Sequence, residues 1–175
     1  MSARMIKIAA TTVAAATAAT LGSTAAMATT PVGARHTVVT ESPAAGFALA
    51  APNKVHVGSV PELKTLGSTP KGTETFVELG TNNANYNPLA FELQGTNLVL
   101  TNRGSSLDFE ALPASGQAYA SQLWTYSATG PAWTFTFKNV KTGHYLVPTT
   151  FRNYAPVTVG DNPAPWVQGI NTVLP

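Results

Sequence analysis

From Asn53 onward, the sequence consists of short apolar runs that are broken every few residues by Gly, Pro, Asn or Ser. No window sustains the i, i+3, i+4, i+7 spacing of a long amphipathic helix. Runs rich in β-branched or aromatic residues predict strands at ETFVEL, AFEL, NLVL, LDFEAL, QLWTYS, WTFTFKNV, HYLV and PVTV. The pattern predicts an all-β chain, and because there is no cysteine its stability must come from core packing.

Length and charge narrow the classes of function. At 175 residues the chain is long enough for one domain with a sizeable core. The formal net charge is +2, but Arg4 and Lys7 lie in the N-terminal segment, and without them eight basic residues face eight acidic ones. No basic cluster remains to bind phosphates or anionic lipid, so nucleic acid and membrane surfaces are poor partners.

The N-terminal segment, residues 1–28, has the pattern of a secretory signal peptide. Arg4 and Lys7 precede an acid-free Ala/Thr/Val stretch, and Ala26-Met27-Ala28 is a small-residue cleavage signal. The stretch is too weakly hydrophobic to predict a stable membrane-spanning helix. We expect no stable membrane insertion of the chain after cleavage. We expect a secreted, extracellular protein with a flexible linker or N-terminal arm at 29–52 and one domain at 53–175. Within the arm, HTVVT is a candidate edge strand.

Internal repetition suggests threefold organisation of the domain. The blocks 54–89, 89–127 and 133–171 each contain a leucine-bearing strand, a second strand and a short closing block. Trp124 and Trp166 lie 42 residues apart, whereas Phe91 precedes Trp124 by 33, so the first copy is the least regular.

Two neighbouring motifs resemble the ricin-type β-trefoil family. Gln122-Leu123-Trp124 is similar to the Gln-x-Trp element that closes a repeat in that family. FKNVKTGHYL, which follows it, is similar to the turn and aromatic-Leu pair that open the next repeat. The resemblance implies a β-trefoil of three pseudo-repeats with shallow sugar pockets, and a mainly structural role for the Gln-x-Trp element.

The largest side chains are expected to form the core. Burial of one tryptophan removes on the order of 200 Å² from water, so core packing alone is a sufficient reason for the presence of the tryptophans. In WTFTFKNV the first, third and fifth residues are aromatic, which predicts one buried face. The expected core residues are Trp124, Trp133, Phe135, Phe137, Leu146 and Trp166.

Sugar pockets of the family combine an aspartate after the leucine-bearing strand, an aromatic platform and an amide side chain. Val147 and Pro148 follow Leu146, and Val99 and Leu100 follow Leu98, so the aspartate is absent from both readable repeats. The remaining polar and aromatic residues near the expected loops define the candidate ligand-binding set: Tyr86, Asn102, Asp108, Tyr119, Gln122, Asn153, Tyr154, Asp161 and Gln168. Loop and turn chemistry is the competing interpretation for each.

The sequence contains no pattern that predicts catalysis. There is no Gly-x-Ser-x-Gly elbow, no Gly-rich phosphate loop and no cysteine nucleophile. The three histidines stand alone, without zinc-ligand spacing. We therefore predict a non-enzyme with no metal and no cofactor.

Three classes of function stay open. The first is a secreted carbohydrate-binding module, which the resemblance implies and the amide-rich loops favour. The second is a protease inhibitor or other binder of extracellular proteins, acting through a loop such as 81–87 or 149–154. The third is an exoprotein whose sugar pockets have degenerated, and the missing aspartates favour the second and third classes. Carbohydrate binding ranks first.

Overall fold

The computed structural model describes residues 27–28, 35–42, 46–66, 71–80, 87–130 and 133–174. The expected leader lies outside these ranges except for its last two residues, which pair with residues 117–118. Within the described ranges, no helix is long and apolar enough to cross a membrane.

In the described residues, the regular structure consists of strands and short 3-10 helices. The strands are β1 (Met27–Ala28), β2 (Arg35–Ser42), β3 (Phe47–Ala50), β4 (Glu62–Thr65), β5 (Phe76–Gly80), β6 (Leu89–Leu93), β7 (Leu98–Asn102), β8 (Leu107–Ala111), β9 (Gln117–Ala118), β10 (Trp124–Ala128), β11 (Thr134–Asn139), β12 (Tyr145–Pro148), β13 (Val157–Gly160) and β14 (Trp166–Leu174). The 3-10 helices η1 (Gly72–Glu74) and η2 (Ala120–Gln122) precede β5 and β10.

Six strands close into a barrel. The antiparallel pairings run β2–β5, β5–β6, β6–β10, β10–β11, β11–β14 and β14–β2, which returns to the starting strand. Closure leaves no free edge in this ring.

Three hairpins extend from the barrel at related positions. β3–β4 joins β2, β7–β8 joins β6, and β12–β13 joins β11. Each repeat therefore contributes a barrel strand, a two-stranded hairpin and a second barrel strand. This arrangement is that of a β-trefoil, and it confirms the predicted fold.

Two tryptophans occupy related positions in the second and third repeats. Trp124 begins β10, Trp166 begins β14, and both side chains are fully buried. The Trp124 indole N–H donates to the Leu100 carbonyl over 3.2 Å, and that of Trp166 donates to the Leu146 carbonyl over 3.0 Å. Each indole thus joins a barrel strand to the hairpin of its own repeat. Phe137 and Leu146 are also fully buried, as predicted.

Phe76 is the counterpart of these tryptophans in the first repeat. It begins β5, is fully buried and packs on Phe91 and Phe109 with ring centroids 6.2 Å away in both cases. The repeat spacing predicts Phe91 at this position, but Phe91 lies within β6 of the second repeat. The first repeat therefore spans β2 to β5, not residues 54–89.

The predicted core position of Trp133 is wrong. Trp133 precedes β11, has φ of +67° and is 57% exposed. Its backbone conformation breaks the alternation that would place its ring beside Phe135 and Phe137. Phe135 is half-buried and packs against the core, and only Phe137 is fully enclosed.

The predicted arm at 29–52 also needs correction. β2 pairs with β5 and β14, and β3 pairs with β4, so both strands belong to the trefoil. Leu49 is fully buried in the main core cluster. The sequence suggested an edge strand at 36–40, but the runs of Ala, Thr and Pro around it concealed its place in the barrel.

Candidate functional site

A polar hollow of about 240 Å³ lies between the first and third repeats. Its walls come from the β3–β4 connection, β4, the segment around η1, and the loop between β12 and β13. We call it the polar hollow, lined by Asn53, Lys64, Thr65, Lys71, Thr73, Glu74, Asn153 and Tyr154. Residues that bring these walls together are distant in sequence, so only the threefold packing creates the site.

Backbone hydrogen bonds fasten the β12–β13 loop to β4. The Tyr154 N–H donates to the Leu63 carbonyl over 2.7 Å, and the Leu63 N–H donates to the Ala155 carbonyl over 2.8 Å. The Thr65 N–H donates to Asn153 Oδ1 over 3.1 Å. These contacts fix both sides of Tyr154, so its ring is presented from a rigid backbone.

Tyr154 combines exposure with a strained backbone. It is 61% exposed and has φ of +63°. Among the described residues, Trp133 is the other non-glycine with positive φ, and it too is an exposed aromatic. A left-handed conformation costs a non-glycine residue roughly 1–2 kcal/mol and persists only where its surroundings enforce it. Strain of this kind concentrates at ligand contacts.

Lys64 forms part of the wall and is itself buried. Its ammonium donates to the Ala51 carbonyl over 2.6 Å and to Asn53 Oδ1 over 3.0 Å. The carboxylate of Glu62 lies 3.5 Å from the same nitrogen. Since an ammonium has three donors, these contacts satisfy the charge and hold Asn53 in place.

Glu74 occupies the place that Gln122 has in the second repeat. The Lys71 N–H donates to Glu74 Oε2 over 3.2 Å, and the Tyr119 N–H donates to Gln122 Oε1 over 3.0 Å. Both side chains are buried and close the 3-10 helix before the barrel strand. The Gln-x-Trp element is therefore structural, and Glu74-Thr75-Phe76 is its counterpart.

A second hollow lies against Tyr154. It has a volume of about 300 Å³ and is lined by Val60, Pro61, Glu62, Tyr154 and Pro156. We call it the apolar hollow because three of its five lining residues are aliphatic or proline. Tyr154 lines both hollows and is the side chain that they share.

The structure brings together two of the predicted ligand-binding residues, Asn153 and Tyr154. Asn102 is buried and its Nδ2 donates to Thr142 Oγ1 over 2.6 Å, while Gln122 Nε2 donates to the Ala111 carbonyl over 3.2 Å. Both amides hold loops within the fold. Tyr86 lies outside the described residues.

The other four predicted residues lie elsewhere. Asp108 accepts from Arg103 Nε over 3.0 Å, and burial raises the pKa of its carboxyl against the opposing effect of the Arg103 charge. Asp161 has its side chain 92% exposed, 3.5 Å from His144 Nε2. Gln168 Nε2 donates to Glu78 Oε1 over 2.5 Å. Tyr119 is 41% exposed before η2.

Sequence reasoning missed Asn53, Lys64, Lys71 and Glu74. No local motif contains them, and they meet only because β4 and η1 flank the same opening. The repeat alignment offered one usable signal, since Glu74 stands two residues before Phe76 as Gln122 stands before Trp124.

The polar hollow offers hydrogen-bond donors and acceptors beside an aromatic face. Among the described residues that line it, none is a histidine, serine or cysteine, and its charged side chains are Lys64, Lys71 and Glu74. Across the described residues, no group of three or more histidine, cysteine or acidic side chains is arranged to hold a metal ion.

No protein-family model matches the chain, and no curated protein sequence matches it. Solved structures with the same fold do match. A mosquitocidal holotoxin aligns with a TM-score of 0.66 and 11% identity over 78% of this chain, which spans 17% of the toxin chain. A structure described as the BEL β-trefoil aligns with a TM-score of 0.57 and 15% identity, covering 81% of this chain and 95% of that one. SeviL bound to an asialo-GM1 saccharide aligns with a TM-score of 0.55 and 8% identity, covering 78% and 98%. At identities this low, the structural alignments show that these proteins share the fold, and nothing beyond the fold.

Proposed function

We propose that the chain is a secreted, non-catalytic module that binds carbohydrate in the polar hollow, with Tyr154 as the platform for a sugar ring. The observation that carries the proposal is an exposed tyrosine, held rigidly in a strained conformation, at the edge of a hollow lined by amide, hydroxyl and charged groups. Sugars combine an apolar ring face with several hydroxyls. The tyrosine ring can stack on the apolar face, and the polar groups of the hollow can bond to the hydroxyls.

The hydrogen-bonding groups of the hollow are partly committed and partly available. Asn153 uses Oδ1 to accept from Thr65, so its amide NH2 group is not needed for that contact. Glu74 accepts one bond from Lys71, and a carboxylate has room for about four. Preorganised partners of this kind reduce the entropy lost on binding.

The missing family aspartate does not leave the hollow without charge. The ammonium of Lys64 bonds to the Ala51 carbonyl directly after β3, and the charged residues Lys71 and Glu74 also line the hollow. A sugar here would be fixed by the Asn153 amide, the Lys71 ammonium and the threonine hydroxyls of the lining rather than by that aspartate. The saccharide-bound SeviL structure, which has the same fold, supports the class of ligand.

A glycan array tests the proposal with the chain from Thr29 onward. We expect retention of at least one saccharide class by the unaltered chain and loss of that signal in Tyr154→Ala. Tyr119→Ala is the matched control, because it removes a tyrosine that is 41% exposed and lies outside the hollow. Silence across the array, or equal binding by Tyr154→Ala, would refute the proposal.

An extracellular protein ligand is the second candidate. The β12–β13 loop exposes Phe151, which is 52% accessible, close in sequence to Tyr154. We expect a protein-binding trefoil to act through a loop of this kind, exposed and held at both ends. Inhibition of secreted proteases that Phe151→Ala abolishes, together with a silent glycan array, would favour this candidate.

A further inference from the structure

The shared position of Tyr154 indicates the size of the ligand. The polar and apolar hollows measure about 240 and 300 Å³ and both border this one ring. Pockets for small molecules usually measure about 300–1,000 Å³, so each hollow alone is at or below the lower limit. A ligand that contacts both must extend past the tyrosine.

The apolar hollow differs in chemistry from its neighbour. Val60 is 51% exposed, and the two prolines have no backbone N–H to donate. The Pro61 carbonyl already accepts from the Val157 N–H over 2.9 Å, and the Pro156 carbonyl accepts from Thr149 Oγ1 over 2.8 Å. The side-chain acceptors in the lining are the Glu62 carboxylate and the Tyr154 hydroxyl.

Glu62 is held in position from the other side. Its Oε1 lies 3.5 Å from the Lys64 ammonium, which also faces the polar hollow. A carboxylate accepts about four hydrogen bonds, so this contact leaves capacity for a ligand donor. The apolar hollow therefore suits a substituent with one N–H donor and a methyl group.

We propose that the site binds an oligosaccharide of at least two units, with a 2-acetamido sugar in the apolar hollow. The acetamido methyl packs on Val60 and the prolines, and the amide N–H donates to Glu62. The neighbouring unit lies on the far side of Tyr154, in the polar hollow. This inference rests on the proposed function and adds the number of sugar units and their chemical class.

A comparison of N,N′-diacetylchitobiose with cellobiose by isothermal titration calorimetry tests the inference. These disaccharides differ in having acetamido or hydroxyl groups at C2. We expect diacetylchitobiose to bind about ten to fifty times more tightly, as one buried methyl and one hydrogen bond would give.

Two exposed valines supply a matched pair of variants. Val60→Ser should reduce the preference for diacetylchitobiose. Val57→Ser should leave it unchanged, because Val57 is 56% exposed in the same connection but lines neither hollow. Equal affinity for the two disaccharides, or a preference that Val60→Ser does not alter, would overturn the inference and leave the proposed function standing. Failure to bind both, together with a silent glycan array, would overturn the two together.

Discussion

Glu78 is a buried carboxyl whose ionisation opposes folding. It lies two residues after Phe76 on β5 and is 8% exposed. Burial raises the pKa of its carboxyl from the ordinary value of 4.5 to about 7, against the opposing effect of the Gln168 hydrogen bond. Burial and the Glu78 charge also raise the pKa of the Tyr126 hydroxyl, which places these two groups within electrostatic range.

The sign of the pH effect follows from these values. Between pH 4.5 and about 7 the folded chain keeps a proton that the unfolded chain has lost. The free energy of unfolding therefore falls as the pH rises through this window and loses nothing more from Glu78 above it. The difference between the two pKa values corresponds to on the order of 3 kcal/mol.

The substitution Glu78→Gln removes this titration and keeps an oxygen that accepts from Gln168. We expect the variant to match the original near pH 4.5 and to exceed its stability at pH 8 by up to about 3 kcal/mol. Urea denaturation at half-unit steps of pH measures the effect. Parallel pH profiles for Glu78→Gln and the original chain would refute the reasoning.

Three further changes have expected outcomes. Trp124→Phe removes the hydrogen bond to Leu100 and leaves a void, so urea denaturation should show a loss of roughly 2–3 kcal/mol; a loss below 0.5 kcal/mol would contradict the packing described. Tyr154→Gly relieves a φ of +63° and should raise stability by about 1 kcal/mol while abolishing saccharide binding, whereas destabilisation would contradict the strain. Gly143→Ala, at a φ of +75°, should lower the melting temperature through about 1 kcal/mol of strain, and an unchanged value would argue against that turn.

Local patterns predicted those parts of the fold that depend on neighbouring residues. The alternation around Phe137 and the spacing of Trp124 and Trp166 reflect side chains that point into one barrel, so they are visible in sequence. Trp133 broke the same pattern because its positive φ turns the chain just before β11. Sequence periodicity carries no signal for that turn.

The candidate site was less predictable because its walls come from two repeats. Asn153 and Tyr154 stood out as a polar and aromatic pair in one loop. Lys64 and Glu74 have structural partners of their own. The loop is attached to β4 by the hydrogen bonds of Leu63 with Tyr154 and Ala155 and of Thr65 with Asn153. The first repeat was also misaligned, which hid the equivalence of Glu74 with Gln122.

The most direct test of the central claim is a backbone-amide NMR titration with the saccharide that the glycan array retains best. Binding at the polar hollow should shift the signals of Asn53, Thr65, Thr73 and Tyr154 together and saturably. Saturable shifts confined to β7 and β8, on the hairpin of the second repeat, would show that the chain binds its sugar elsewhere and would contradict the account.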